Sequence, residues 1–262
     1  MAENLLVRSL RDNPLAGLVW TLVRTDFKAR YHGGPTGFLW ALLKPLAMFL
    51  ILLAVFSFLF LQERNYTLDL IVGLLLWDFF AESTKVGLMS LHSKGYLINK
   101  ARFPRWIVVV TSASNAVITL FLSCVVVGLF LAIFHGMPSL VGIALFIGYM
   151  ILYALFVTGL SLGLSVLFLR YRDLNQIWDV VLQAGFFAAP IVYPLRILPE
   201  RFHAYLYLFP VTSVVQFSRA VLVEGTIPSL TGHLLLLTIT ALSLIGGTLI
   251  FRRGIRAAVE EA

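Results

Sequence analysis

Long apolar stretches alternate along the chain with short segments that carry most of its charged residues. A helix needs roughly 20 apolar residues to cross the hydrocarbon core of a bilayer. The pattern therefore predicts an all-α membrane protein with six transmembrane helices, in one membrane domain that covers residues 1–262. Five predicted spans lie within residues 38–193: Phe38–Leu61, Leu68–Leu91, Trp106–Phe134, Leu140–Leu169 and Leu174–Tyr193. The sixth is Gly232–Phe251, residues 232–251.

The N-terminal segment, residues 1–31, has a different pattern. A helix that starts at Pro14 has Leu18 and Leu22 on the face opposite Arg24, and proline suits the first position of a helix. Such an amphipathic helix is expected to lie in the plane of the cytoplasmic membrane interface. Whether it couples to a motor or is an ordinary surface anchor stays open from the sequence.

The segment 194–231, between the fifth and sixth spans, is apolar and aromatic but is interrupted by prolines. Its pieces Glu200–Phe209 and Thr212–Glu224 are too short to cross a bilayer. Backbone groups at membrane depth must still be hydrogen-bonded, so the sequence predicts two short re-entrant helices on the outer side. The alternative is a loosely ordered periplasmic loop.

Composition and charge fix the environment and the orientation. The chain is 60% hydrophobic and 13% charged, with mean hydropathy +0.92, which indicates lipid as its main surrounding. The positive-inside rule places both termini in the cytoplasm, with 252–262 as a cytoplasmic tail, and leaves few basic residues outside. The net charge of +7 is then directed at anionic lipid, and no nucleic acid partner is expected. Of the 20 lysines and arginines in the chain, four are predicted on the side opposite the cytoplasm: Arg64, Arg196, Arg201 and Arg219.

No recognisable catalytic or nucleotide-binding motif is present in the sequence. The glycine-rich stretch His32–Gly37 lacks the Gly-Lys-Ser/Thr that completes a P-loop, so it is interpreted as a flexible joint. No zinc-protease or nucleophile-elbow motif occurs either. We therefore predict no catalytic, cofactor-binding or metal-binding residues, and the energy for any pumping must come from a partner or an ion gradient.

Three ionisable residues interrupt the second predicted span. Asp78, Glu82 and Lys85 are spaced by four and three residues, which puts them on one face of a helix. Ionisable groups inside a membrane protein usually face a cavity or one another. We predict Asp78 and Glu82 as channel-lining residues. There are two alternatives: the charges neutralise one another near the end of the span that meets water, or they form a proton relay.

Aromatic side chains gather in and after the fifth span. Trp178, Phe186, Phe187 and Tyr193 are predicted to line a channel, because aromatic rings stack on sugar rings without fixing their identity. The alternative is the aromatic belt that membrane proteins place at the interface.

Small residues favour close contact between helices. The fourth span contains Gly159 and Gly163 at a spacing of four, and the sixth contains Gly246 and Gly247. Such patterns usually indicate tight packing within one chain.

Several short motifs, in order and spacing, resemble one membrane protein family. They are Arg30-Tyr31, Gly37–Trp40 with Pro45, Trp77–Phe80, Asn99–Arg105, Arg172-Asp173 and Ala189–Tyr193. The layout resembles ABC-2-type permeases, and among them the exporters of O-antigen, capsule and teichoic acid. Asp78 is more polar than the family pattern at its position.

The resemblance implies a homodimer in the bacterial inner membrane, with a channel between the protomers. Two separate nucleotide-binding ATPase subunits would bind ATP and Mg²⁺ and dock on the cytoplasmic face, and lipid-linked polysaccharide would be the substrate. The turns at 96–105 and 170–173 each combine charge with a bulky apolar group, as a docking contact requires. Anchoring by positive charge alone is the alternative. The predicted ATPase-coupling residues are Arg30, Tyr31, Arg102, Phe103, Pro104, Arg105, Arg172 and Asp173.

Other functions stay open at this point. An exporter of drugs or lipids would keep the same fold. An integral-membrane enzyme acting on lipid-linked sugars would need convergent catalytic residues, for which Asp78 and Glu82 are the candidates. A scaffold without transport activity would need no ATPase.

Overall fold

The structure is a computed structural model that describes residues 14–30, 35–60, 63, 65–95, 104–134 and 136–260. Within these ranges every helix and strand assignment is helical, which confirms the all-α prediction. The helices are α1 Pro14–Arg30, α2 Pro35–Phe56, α3 Tyr66–Ser93, α4 Trp106–Phe134, α5 Leu140–Arg170, α6 Leu174–Ala188, α7 Glu200–Tyr207, α8 Pro210–Arg219 and α9 Leu230–Glu260.

Helix α3 is the centre of the bundle. It packs against α2, α4, α5, α6 and α8, and side chains around most of its circumference are buried. Aromatic rings form much of this core: Phe80 stacks near Tyr153 and Phe156 with centroid distances of 6.4 and 6.2 Å. The buried Tyr153 hydroxyl donates to the Leu76 carbonyl at 3.0 Å, so the polar end of this ring is satisfied.

Helices α5 and α9 form the most extensive pair in the structure. A Cβ placed on Gly159 would lie 2.6 Å from the Ser243 carbonyl group, and one placed on Gly247 would overlap the Gly159 carbonyl oxygen. The Ser243 hydroxyl also donates to the Phe156 carbonyl at 3.0 Å. The predicted role of these small residues, packing within one chain, is confirmed for Gly159 and Gly247, whereas a Cβ on Gly246 would meet nothing within 4 Å.

Three helices in the described ranges are long and apolar enough to cross a membrane: Trp106–Phe134, Leu140–Arg170 and Leu230–Ile255. Helices α7 and α8, with the π-helical turn that extends α8 to Glu224, bend by 109° and count as a fourth span only if taken as one unit. Helix α2 contains a shorter apolar part, Leu43–Phe56. Length and composition alone therefore give fewer spans than the six predicted.

The predicted fifth span, Leu174–Tyr193, is wrong in its extent. Helix α6 has 15 residues and ends at Ala188. Ala189 is extended (φ −76°, ψ 138°), because proline at 190 disfavours helical conformation in the residue before it and lacks an N–H of its own. The remaining residues form a turn rather than a last helical turn of a span.

The segment 194–231 is folded. It contains the two short helices predicted from the sequence, here α7 and α8, joined at Leu208 and Phe209. Val211, Val214 and Val215 of α8 are buried in the main core, so this segment packs on the bundle rather than forming the loosely ordered loop.

Candidate coupling surface and translocation groove

A groove of about 760 Å³ lies between α2, α3 and α6. Asp78 and Phe186 were both predicted to line a channel, and both line this groove although they are far apart in sequence. Lys44 of α2 also lines it, so the groove holds a basic and an acidic side chain among aromatic and aliphatic ones. The groove is lined by Trp40, Leu43, Lys44, Pro45, Ala47, Met48, Ile51, Leu74, Trp77, Asp78 and Phe186.

The other predicted aromatic residues occupy different positions. Phe187 is 65% exposed and lies edge-on to Phe186, with ring centroids 5.3 Å apart. The Tyr193 hydroxyl donates to the Phe187 carbonyl at 3.0 Å, so Tyr193 lies at the same end of α6. Trp178 faces α3 instead: its indole N–H donates to the Thr84 hydroxyl at 3.1 Å.

Lys85 fixes the first half of α6 to α3. Its ammonium group forms an ion pair with Asp179 and donates to the Asn175 carbonyl at 3.2 Å. Glu82 is half-buried on the same face of α3. Lys85 was predicted to share one face of a helix with Asp78 and Glu82, and its partner Asp179 was not predicted, since only the packing of α6 on α3 brings Lys85 and Asp179 together.

The turn 170–173 lies against the end of α3. Its residues are exposed, and Arg172 Nη1 donates to Nδ1 of His92 at 2.9 Å. The Arg172 guanidinium also lies 6.0 Å from the centre of the Phe168 ring. Asp173 is exposed and immediately precedes α6. This predicted coupling turn is therefore a surface feature whose position depends on α3 and α5.

The remaining predicted coupling residues are located in part. Pro104 and Arg105 precede α4, and Arg105 Nη1 donates to the Ile255 carbonyl of α9 at 3.4 Å. Arg30 is the last residue of α1, and its side chain lies outside the described residues. The same holds for three further predicted residues, which fall wholly outside the described ranges: Tyr31, Arg102 and Phe103.

Lys94 connects three helices on this side of the molecule. It follows α3, forms an ion pair with Asp26 of α1, and donates to the Ser112 hydroxyl of α4 at 2.8 Å. None of these three residues was among the predicted site residues. Their one signal was an acidic residue inside an otherwise basic interface helix.

Arg219 is a second feature that the sequence analysis missed. Its side chain is 5% exposed and donates to backbone carbonyls of Asp69 (2.9 and 2.7 Å), Pro190 (2.8 Å) and Ile191 (2.7 Å). A buried charged group needs such partners. Arg219 thereby joins α8, the start of α3 and the chain that follows α6. An arginine within the apolar stretch of α8 was the available signal.

Comparison with known proteins decides the family. Residues 17–223 match the family model described as "ABC-2 type transporter", which is well over half of the chain. The chain belongs to the ABC-2 type transporter family. The resemblance given by its short motifs is thus confirmed, and the chain is a membrane-embedded transport protein.

Curated relatives of this ABC-2 protein are polysaccharide exporters. It is 30% identical to an O-antigen export system permease protein RfbA of Klebsiella pneumoniae, over 81% of this chain and 83% of the relative. It is 31% identical to the Myxococcus xanthus protein of the same name, over 85% and 86%. The Escherichia coli polysialic acid transport protein KpsM is 22% identical over 80% and 82%. These names describe transport proteins, not enzymes.

Proposed function

We propose that this chain is the permease subunit of an ATP-binding cassette exporter that moves lipid-linked polysaccharide across the bacterial inner membrane. The observation that carries this proposal is the match, over more than four fifths of both chains, to proteins named as O-antigen export permeases. O-antigen, capsule and teichoic acid are the polymer classes that the proposal includes. Both termini would lie in the cytoplasm.

The proposed transporter is a homodimer with six spans in each protomer. Helix α6 has no buried side chain in the single chain, and Ile177, Val180 and Phe187 on it are more than half exposed. The groove beside α6 is open on one side, where a second protomer would complete a channel. Helices α2, α3 and α6 supply the spans that length and composition alone do not identify, and α7 and α8 form the re-entrant exit.

Energy would come from two separate ATPase subunits that bind ATP and Mg²⁺. The chain has no P-loop of its own, and its exposed turn at 170–173 offers a compact contact for such a subunit. Arg172 and Asp173 lie there together with Tyr171, which is 55% exposed. A bulky side chain flanked by charges suits insertion into a socket on a partner surface.

The lining of the groove favours a polymer over a small hydrophobic drug. Trp40, Trp77 and Phe186 give it aromatic surface, and Lys44 and Asp78 give it polar groups. Aromatic surface tolerates successive sugars, while a few polar groups solvate hydroxyls. Exporters of drugs or lipids stay the alternative that shares this fold.

The test is a deletion of the gene that encodes this chain in its own host. We expect surface polysaccharide to be lost while full-length lipid-linked polymer accumulates inside the cell. A permease with Asp78→Asn and Glu82→Gln should still leave polymer synthesis intact, because neither residue takes part in making it. Loss of the lipid-linked polymer itself in either strain would favour the alternative that the chain is an enzyme acting on lipid-linked sugars. Normal surface polysaccharide in the deletion strain would refute the proposal.

A further inference from the structure

Lys94 links α1 to the end of α3 by an ion pair with Asp26. Its ammonium group lies between the carboxylate of Asp26 and the hydroxyl of Ser112, at 2.8 Å from the latter. The three side chains come from α1, the end of α3 and the first turns of α4. One cation therefore holds the ends of three helices together.

This ion pair is shielded more than the others measured in the described part of the chain. The Lys94 and Asp26 side chains are 17% and 20% exposed, whereas Asp179 and Arg196 in the other two pairs are 57% and 66% exposed. An exposed pair contributes little, but separating a largely buried one leaves uncompensated charge. Lys94 and Asp26 are therefore expected to stay together while neighbouring parts of the molecule move.

The position of the pair gives it a mechanical consequence. Lys94 directly follows α3 and comes two residues before the segment 96–105, where the proposed ATPase contact begins. Asp26 lies in the last turn but one of α1, and Leu22 is the buried side chain that seats this helix on the bundle. A displacement applied to the segment 96–105 acts on Lys94 and through it on α1.

We infer that Asp26, Lys94 and Ser112 form a latch that makes α1 and the adjoining ends of α3 and α4 move as one rigid unit during transport. The inference rests on the proposed function, since the motion originates in the ATPase. Lys94 and Asp26 act here as positioning residues. The interface helix then follows α3 and α4 when these helices move.

The first test exchanges the charges of the pair. The transporter is purified with its companion ATPase, reconstituted in proteoliposomes, and assayed for polymer exported per ATP hydrolysed. Asp26→Lys and Lys94→Asp should each lower this ratio by about tenfold, and the double exchange should restore it to within about twofold, because the pair is re-formed. Lys28→Gln, which removes an exposed charge from the same helix, is the control and should leave the ratio unchanged. Equal loss in the single and double variants would overturn the latch.

The second test asks whether the two sides of the latch separate. Asp26→Cys and Lys94→Cys are combined with Cys124→Ser, which removes the single native cysteine, and a short bis-maleimide joins the two positions. A latch predicts that this variant exports little polymer per ATP hydrolysed without cross-linker, because it has lost the ion pair, and that the cross-link restores its export. Continued ATP hydrolysis with export blocked by the cross-link would overturn it. Absence of ATP-driven export in the wild-type protein would instead refute the proposed function.

Discussion

Arg219 is buried and directs its guanidinium at carbonyl groups of Asp69, Pro190 and Ile191. Arginine suits this role because its donors are held in a fixed planar fork, whereas lysine presents a point charge on a flexible stem. Gly73 leaves room for it, since a Cβ at that position would lie 2.7 Å from Arg219 Nη2. Arg219 thus joins three parts of the chain at this end of the bundle.

Replacing Arg219 should therefore destabilise the protein even when charge is kept. Arg219→Lys and Arg219→Met leave carbonyls unpaired at a cost of about 1–3 kcal/mol for each buried group. Both variants should show a clearly lower unfolding temperature in detergent, measured by fluorescence. Arg201→Lys, at an exposed site on α7, is the control and should unfold like the wild type. If both Arg219 variants unfolded at the wild-type temperature, the hydrogen bonds of Arg219 to these carbonyls, here called the Arg219 clamp, would contribute nothing to stability.

Residues that meet across the fold were the least predictable part of the site. Asp78 and Phe186 were selected for their chemistry, and the structure brings them into one groove. The partners of Lys85 and Lys94 could not be selected in this way, since Asp179 and Asp26 are distant in sequence. A charge in a sequence shows that a partner is needed, and only the packing of helices shows which one.

Helices α4 and α5 are predictable to within a few residues because their apolar runs are long. Helix α9 begins within two residues of the predicted start but continues nine residues past the predicted end at Phe251. Helix α3 behaves differently. Other helices surround it, so it can carry Asp69, Asp78, Glu82 and Lys85 and still lie at the centre of a membrane protein. The end of α6 was mispredicted because averaged hydropathy does not register the effect of a single proline on the backbone.

The contact between α5 and α9 gives a prediction with a neighbouring control. A Cβ on Gly247 would overlap the Gly159 carbonyl, whereas a Cβ on Gly246 would meet nothing within 4 Å. Gly247→Ala should force the helices apart and lower the free energy of unfolding by about 1–3 kcal/mol, the usual penalty for overpacking. Gly246→Ala should leave stability equal or slightly higher, since alanine favours helix over glycine by about 1 kcal/mol.

Thermal unfolding and size-exclusion profiles of the two alanine variants in the same detergent provide the measurement. The account requires a lower unfolding temperature for Gly247→Ala alone. If both variants matched the wild type, the small residues would not be setting the distance between α5 and α9.

At the scale of the whole molecule, charge and shape are distributed unequally between the two ends. One end carries the exposed turn 170–173 and Lys94 with its partners Asp26 and Ser112. The other carries α7, α8 and the Arg219 clamp. The arrangement suits a molecule that receives motion at one face and shapes an exit at the other, with a groove running between α2, α3 and α6.

Reconstitution with and without the companion ATPase tests this account most directly. The tagged chain is purified in mild detergent from its host, its bound proteins are identified, and movement of lipid-linked polysaccharide into proteoliposomes is measured with ATP present. We predict that an ATP-binding protein copurifies with the chain and that cargo moves only when that protein and ATP are both supplied. Movement of cargo by the purified chain with no ATPase present would contradict it.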